Sequence, residues 1–307
     1  MNKGKTRIGI IFKFTLLLAL AGSRVMAQQG STFNYNQYAD NLTPVNPAYA
    51  LLDKAGSISI LGRKQLIGIP GAPTSLLFSG SLPIESINAA AGIFAENDKI
   101  AVENQTEVNA FFAKAIQLTS EGYLSVSINA GIRSYVANYS LLDANDPQFS
   151  TDIRETKPNI GFGVMFYSNN FYIGLSVPEL SFRSLGNASV LQADYLKTHY
   201  YFSGAFITNV DSDISFKPAT LVSYVDGTRA IFNVSGTFCL KNLFSIGVNY
   251  STRQQAAGIM SINLNGFRIG YSYEFGTSSD NLGSYNNATN EVSLAYRFGK
   301  TQAPKLL

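Results

Sequence analysis

From about residue 55 onward the chain alternates apolar residues with polar or small ones, segment after segment. In Leu124–Arg133 one face holds Leu124, Val126, Ile128, Ala130 and Ile132, and the other Ser125, Ser127, Asn129, Gly131 and Arg133. A helix would scatter these residues around its surface, whereas a strand sorts them onto two sides. The same sorting recurs in Phe171–Val177, Phe244–Ser251, Phe267–Gly276 and Val292–Gly299. Read this way, the sequence predicts fourteen strands: 55–62, 73–82, 87–95, 106–118, 122–136, 158–168, 171–178, 198–209, 213–225, 229–240, 243–252, 256–264, 266–276 and 289–299. The ninth is the least regular, because Pro218 removes a ladder donor.

The connections carry a second pattern. Long ones are expected after the first, third, fifth, seventh and thirteenth strands, at 63–72, 96–105, 137–157, 179–197 and 277–288. All follow odd-numbered strands, while those after even-numbered strands are short, down to Asn265-Gly266. Long loops at one end and tight turns at the other are the pattern of an outer-membrane barrel, and an even strand count then leaves both termini in the periplasm. The expected fold is therefore all-β: a transmembrane, antiparallel, up-and-down β-barrel of about fourteen strands. Alternation alone does not say which face meets solvent, since a soluble barrel turns its apolar face inward and a membrane barrel turns it outward. Loop parity, and aromatic residues at strand ends (Phe166, Tyr167, Phe171, Tyr172, Tyr200, Tyr201), favour the membrane. With no Trp, Tyr and Phe must form any aromatic belt alone. Lys114, on the apolar side of the fourth strand, implies a bulge or a position near the membrane edge.

The first 27 residues read as an address. Lys3, Lys5, Arg7 and Lys13 precede the apolar run 14–22, and Val25-Met26-Ala27 leads to Gln28. This is the layout of a secretory signal peptide cleaved between Ala27 and Gln28, since a membrane anchor would need about 20 apolar residues. The resulting division is 1–27 signal peptide, 28–53 N-terminal periplasmic segment, 54–300 barrel and 301–307 C-terminal tail. The signal holds five of the 23 Lys and Arg and no Asp or Glu, so the remainder has 18 basic against 20 acidic residues, a net of −2. No basic patch argues for nucleic acid. The charge-free stretch Gln65–Ile84 contains Pro70, Pro73 and Pro83, which a spanning helix would not tolerate.

Chemistry is sparse. One His and one Cys cannot furnish an ordinary zinc site. His199 reads as a surface or rim residue, and no activated Ser or Cys accompanies it. Asp143, Asn145, Asp146 and Asp152 lack the glycine and terminal Glu of a calcium loop and read as a solvated turn. Gly161-Phe162-Gly163 lacks the third glycine of a nucleotide fingerprint and reads as strand packing. Cys239 falls on the small, polar face as an unpaired thiol. No catalytic, metal or cofactor residue is assigned. Arg133, Arg268, Glu274, Glu291 and Arg297 fall on the expected lumen face, where they either line a pore or pair within a plugged interior.

Several words in the chain resemble the PorP/SprF family of type IX secretion system membrane proteins. They are Tyr35-Asn36-Gln37-Tyr38 and Pro44-Val45-Asn46-Pro47-Ala48-Tyr49-Ala50, then Arg63-x-Gln65, Gly71-Ala72-Pro73, Asp146-Pro147-x-Phe149 and Pro158-Asn159-x-Gly161-x-Gly163. Tyr172-x-Gly174-x-Ser176-x-Pro178-x-Leu180, His199-Tyr200-Tyr201, Lys217-Pro218 and Gly270-Tyr271-x-Tyr273 follow in family order. Leu66 stands where the family often has Trp, and Leu51 where it often has Gly. The resemblance implies a multi-pass outer-membrane barrel of Bacteroidota without catalytic residues. Its implied partners are outer-membrane lipid, other type IX secretion components and a secreted surface protein with a C-terminal sorting domain, such as a gliding adhesin. A porin or small-molecule transporter is the alternative reading.

Overall fold

The computed structural model describes residues 35–52, 54–142, 151–181, 197–225, 227–277 and 288–299. The proposed signal sequence, with Ala27 and Gln28, lies outside the described residues, as do Asp143, Asn145 and Asp146.

The strands are β1 (Gly56–Lys64), β2 (Thr74–Ile84), β3 (Ala89–Ile100), β4 (Glu103–Gln117), β5 (Tyr123–Ala137), β6 (Ile153–Tyr167), β7 (Phe171–Ser181) and β8 (His199–Phe206). They continue as β9 (Thr208–Asn209), β10 (Ile214–Val225), β11 (Ile231–Leu240), β12 (Phe244–Ser251), β13 (Gln255–Leu264), β14 (Phe267–Gly276) and β15 (Thr289–Phe298). β8 and the two-residue β9 lie along the same side of β10 and form one barrel strand. The break between them, at Ile207, falls opposite Lys217-Pro218, where the irregular proline was expected to disturb the ladder. Neighbours in sequence pair antiparallel throughout, and β1 pairs with β15, so fourteen strands close into a barrel.

The face question is settled by exposure. In β5 the outward Val126, Ile128 and Ile132 are 44–54% exposed, while the inward Ser125, Asn129 and Arg133 are at most 2% exposed. Outward Ile, Leu, Val, Phe and Tyr side chains ring the whole barrel, which only a lipid solvent rewards. Outward apolar positions of β5 run from Leu124 to Ile132, about 27 Å along the strand; with the usual tilt this approaches the ~25 Å apolar band of such barrels.

The four longest connections, 65–73, 138–152, 182–198 and 277–288, all lie at one end, and the opposite end carries only short turns. One expected long loop is absent. Residues 96–105 are mostly strand, with only Ala101-Val102 between β3 and β4, and Asn97 pairs with Thr106 and Lys99 with Asn104. Polar residues on both faces mark a strand that has left the apolar slab, and that polarity reads as a loop. The Asn265-Gly266 turn has φ of 49° and 87°, the two left-handed residues of a type I′ hairpin. Lys114 sits outward without a bulge, near the short-turn end of β4, and its Nζ donates to Ile87 O at 2.9 Å.

Candidate functional site

The interior is occupied. The segment expected to precede the barrel on the periplasmic side lies, from Tyr35 to Leu52, within the lumen. Its Tyr35, Tyr38, Leu42, Val45, Ala48, Tyr49 and Leu51 are each at most 5% exposed. They pack against inward Leu61, Leu77, Phe94, Phe111, Met165, Tyr172 and Leu221 in one apolar cluster. Tyr49 meets Tyr172 edge-on, with ring centroids 5.6 Å apart. Half of the strand-end aromatics thus serve this core: Tyr167, Tyr172 and Tyr201 face inward, whereas Phe166, Phe171 and Tyr200 face outward.

Polar contacts tie the segment to walls all around the ring. Asn41 Nδ2 donates to Ser59 and Ser79 on β1 and β2. Tyr38 Oη donates to Ala219 O at 3.1 Å on β10 and lies 3.1 Å from Ser235 Oγ on β11. Asn46 is fully buried; its Oδ1 accepts from Ala48 N, capping the 3-10 turn Pro47–Leu51, while Nδ2 donates to Val164 O and Leu175 O on β6 and β7. Space for it comes from Gly163 and Gly174, where a Cβ would collide with the Asn46 amide. Strand packing was the reading of Gly161-Phe162-Gly163, and the second glycine is the notch that admits this asparagine.

Three charge clusters complete the filling. At the first, the Asn36 backbone N donates to both Glu291 oxygens at 2.9 and 3.0 Å, and its side chain to Glu274 at 2.9 Å; Arg63 lies 3.3 Å from each carboxylate. At the second, Asp40 bridges Lys217 at 3.1 Å and Arg268 at 2.6 Å. Burial alone would raise the Asp40 carboxyl, but Arg268 and Lys217 outweigh it and hold the group below its ordinary value. Arg297, half-buried on the same face, adds to that field. At the third, Arg133 donates to Glu107 at 2.7 and 2.9 Å and contacts Glu179, which lies 2.6 Å from His199 Nδ1.

His199 opens β8 at the loop-bearing end, a rim position, but its side chain is buried instead of lying at the surface. It is 7% exposed and stacked on Tyr201. Glu179 falls in the expected loop 179–197, whereas β7 continues to Ser181; a bulge opposite Gly161 sets Pro178 and Glu179 against one residue of β6 and turns Glu179 inward. Arg63, Glu107, Asp40 and Lys217 were also missed. Glu107 follows the inward register of β4 and Arg63 that of β1, so parity could have found both. Cys239 is a free thiol of intermediate exposure on the inward register of β11. Asp152 is exposed and accepts from Ser140 N. Among the described residues no group of His, Cys, Asp and Glu has metal-site geometry.

The sequence profile of the type IX secretion system membrane protein PorP/SprF family matches residues 27–296. The chain belongs to the PorP/SprF family. Among curated proteins none matches this sequence. Solved barrels share the fold: the CymD monoaromatic hydrocarbon channel, at 10% identity and TM-score 0.51, matches over 89% of this chain and 95% of its own. Omp33 of Acinetobacter baumannii (9% identity, TM-score 0.47, 80% of this chain and 99% of its own) and the toluene transporter TbuX of Ralstonia pickettii (12%, 0.47, 90% and 96%) are more distant in shape. The family match places the PorP/SprF chain in the outer membrane, and the likeness to CymD shows the barrel fold.

Proposed function

We propose that this PorP/SprF barrel is a scaffold of the type IX secretion system that anchors a secreted surface protein, such as a gliding adhesin with a C-terminal sorting domain, or assists its export. The carrying observation is the filled lumen. A solute pore needs a wet passage, yet inward Asn109, Ser125, Ser272 and Glu291 are 0% exposed, and residues 35–52 bond to opposite walls. What remains available to a protein partner is the loop-bearing end and the outer surface. In this reading the loop-bearing end faces the cell exterior. Gly56 and Phe298, which pair where the ladder closes, then lie on the periplasmic side.

The test is deletion of the gene with a parallel reading of surface-protein display and solute uptake. Loss of display, with the surface protein in the medium or retained in the cell and uptake unchanged, is the expected result. Normal display with lowered uptake of a solute would replace the scaffold by the transporter.

A further inference from the structure

The wall of the barrel is uneven. β4, β5 and β6 have fifteen residues each, against eight in β12 and ten in β13, β14 and β15. Outward positions show where the excess lies. On β4 the apolar series Ile116, Phe112, Val108 gives way to Thr106 and Asn104 toward the loop-bearing end. β5 passes from Ile132 to Ser134 before ending on Val136, and β6 passes from Pro158 to Thr156 and Arg154. The four or five last residues of these strands run about 15 Å along the strand beyond the apolar band.

The raised arc has its own chemistry. At the loop-bearing end, the outward aromatics Tyr200, Tyr224, Tyr250 and Tyr273 belong to β8, β10, β12 and β14. Over β1 to β6 their place is taken largely by polar groups, with Leu76 and Val136 among them, and the polar groups are in part already linked: Asn97 Nδ2 donates to Asn104 and Thr106, and Thr156 to Ser134. The charged residues on outward strand positions at that end of β1 to β6 are Lys64, Lys99 and Arg154, all cationic and all exposed. Glu96, Asp98, Glu103, Glu107 and Glu155 alternate with them onto the inward side. Asp152, ahead of β6, feels the charge of Arg154, and one of its oxygens accepts from Ser140 N.

We propose that the outward face of the raised β3–β6 wall, with Lys64 beside it, docks the phosphorylated headgroup of an outer-leaflet glycolipid. Cations at and above the edge of the apolar band match phosphate at headgroup depth, and the amide and hydroxyl side chains between them match sugar hydroxyls. A tyrosine belt on one arc and a cationic, hydroxyl-rich wall on the other give the barrel a preferred lipid on one side only. The inference rests on the loop-bearing end being exterior, which labelling of a cysteine at Asn104 on intact cells with an impermeant maleimide, in a Cys239→Ser background, establishes independently.

The experiment extracts the protein from its native outer membrane in mild detergent and quantifies co-purifying phosphorylated glycolipid per barrel by mass spectrometry. The Lys64→Ser/Lys99→Ser/Arg154→Ser variant should retain about tenfold less or lower still, given the typical contribution of each interfacial cation. The charge-keeping variant Lys64→Arg/Lys99→Arg/Arg154→Lys should retain the wild-type amount, as should Lys114→Ser at the opposite end. Heat-modifiable migration verifies folding, and Arg154→Ser alone, with a smaller expected loss, serves if the triple variant does not fold. Undiminished glycolipid on the folded serine variant would overturn the proposal. So would charge-dependent retention of an acidic protein in place of lipid. Exterior labelling with undiminished glycolipid refutes the docking alone, and labelling only in broken cells refutes the orientation.

Discussion

Consider Ile128→Arg and its neighbour. Ile128 is 44% exposed to lipid at the middle of β5, between Phe112 and Phe162 on the flanking strands. A guanidinium there meets hydrocarbon, at a cost of about 2–4 kcal/mol near the bilayer midplane. With a urea slope of roughly 2 kcal/mol per molar, the unfolding midpoint should fall by roughly 1–2 M. Periodicity alone makes Asn129→Arg mild, as a change on a polar lumen face. The packing revises that expectation. Asn129 is 1% exposed, its Nδ2 donates to Pro178 O at 2.8 Å, and its amide oxygen fills the place a Cβ on Gly161 would need. An arginine there has no room, and Asn129→Ala, which only removes the donor, should cost about 1–3 kcal/mol through the orphaned carbonyl. Ile128→Ala, losing little buried area, should cost less than either. The assay is urea unfolding of the barrel in lipid vesicles, followed by heat-modifiable migration. An Ile128→Arg barrel as stable as wild type, or an Asn129→Ala barrel no less stable than Ile128→Ala, would refute the assignment of a lipid face and a dry interior.

Further outcomes follow from the same interior. Glu291→Ala strips Asn36 N of its acceptor and leaves Arg63 with Glu274 alone, and should cost about 3–5 kcal/mol, measured by the same unfolding assay; neutrality would mean the segment is not held there. Asp40 has a depressed carboxyl pKa, so its stabilisation is complete above the unfolded value of about 3.9 and is lost as pH falls through the lower folded value. The stability gap between wild type and Asp40→Asn should therefore be wide at pH 7 and close in acid below the ordinary carboxylate range, and a gap independent of pH would contradict the pairing. In planar bilayers the wild-type barrel should show no steady conductance, whereas folded protein lacking residues 35–46 should conduct; an open wild-type pore would refute the filled lumen. Single cysteines at Gly227 and Asn265, in a Cys239→Ser background, should label on intact cells at the first position only, and the reverse pattern would invert the topology.

Much of the architecture was legible because a barrel strand obeys a local rule. Period-two alternation located every strand, and Asn265-Gly266 announced its own turn. The height of the wall was not legible: Asn97, Lys99 and Asn104 are polar in the manner of a loop, yet their backbones pair. Nor was the lumen. Ser, Asn and Gly at inward positions read as surfaces for water, while the structure uses them to fit and bond a second layer of chain. Whether a Ser-Asn-Gly face is wet depends on what stands opposite, and here that is Tyr38 or Asn46, more than a hundred residues away from its wall. Glu179 and His199 were hidden for a related reason, since one bulged residue reverses a side chain's destination without altering composition.

The lumen segment behaves as a ligand that cannot diffuse away. Only three residues separate Leu52 from Gly56, the start of β1, so the occupant is covalently leashed to the rim it fills. A short leash sets an effective concentration in the millimolar range or higher. A small solute at micromolar concentration competes against those odds and against bonds to seven or more strands at once. Something able to evict the segment would have to bring an extensive binding surface of its own, as a protein does and a small solute does not.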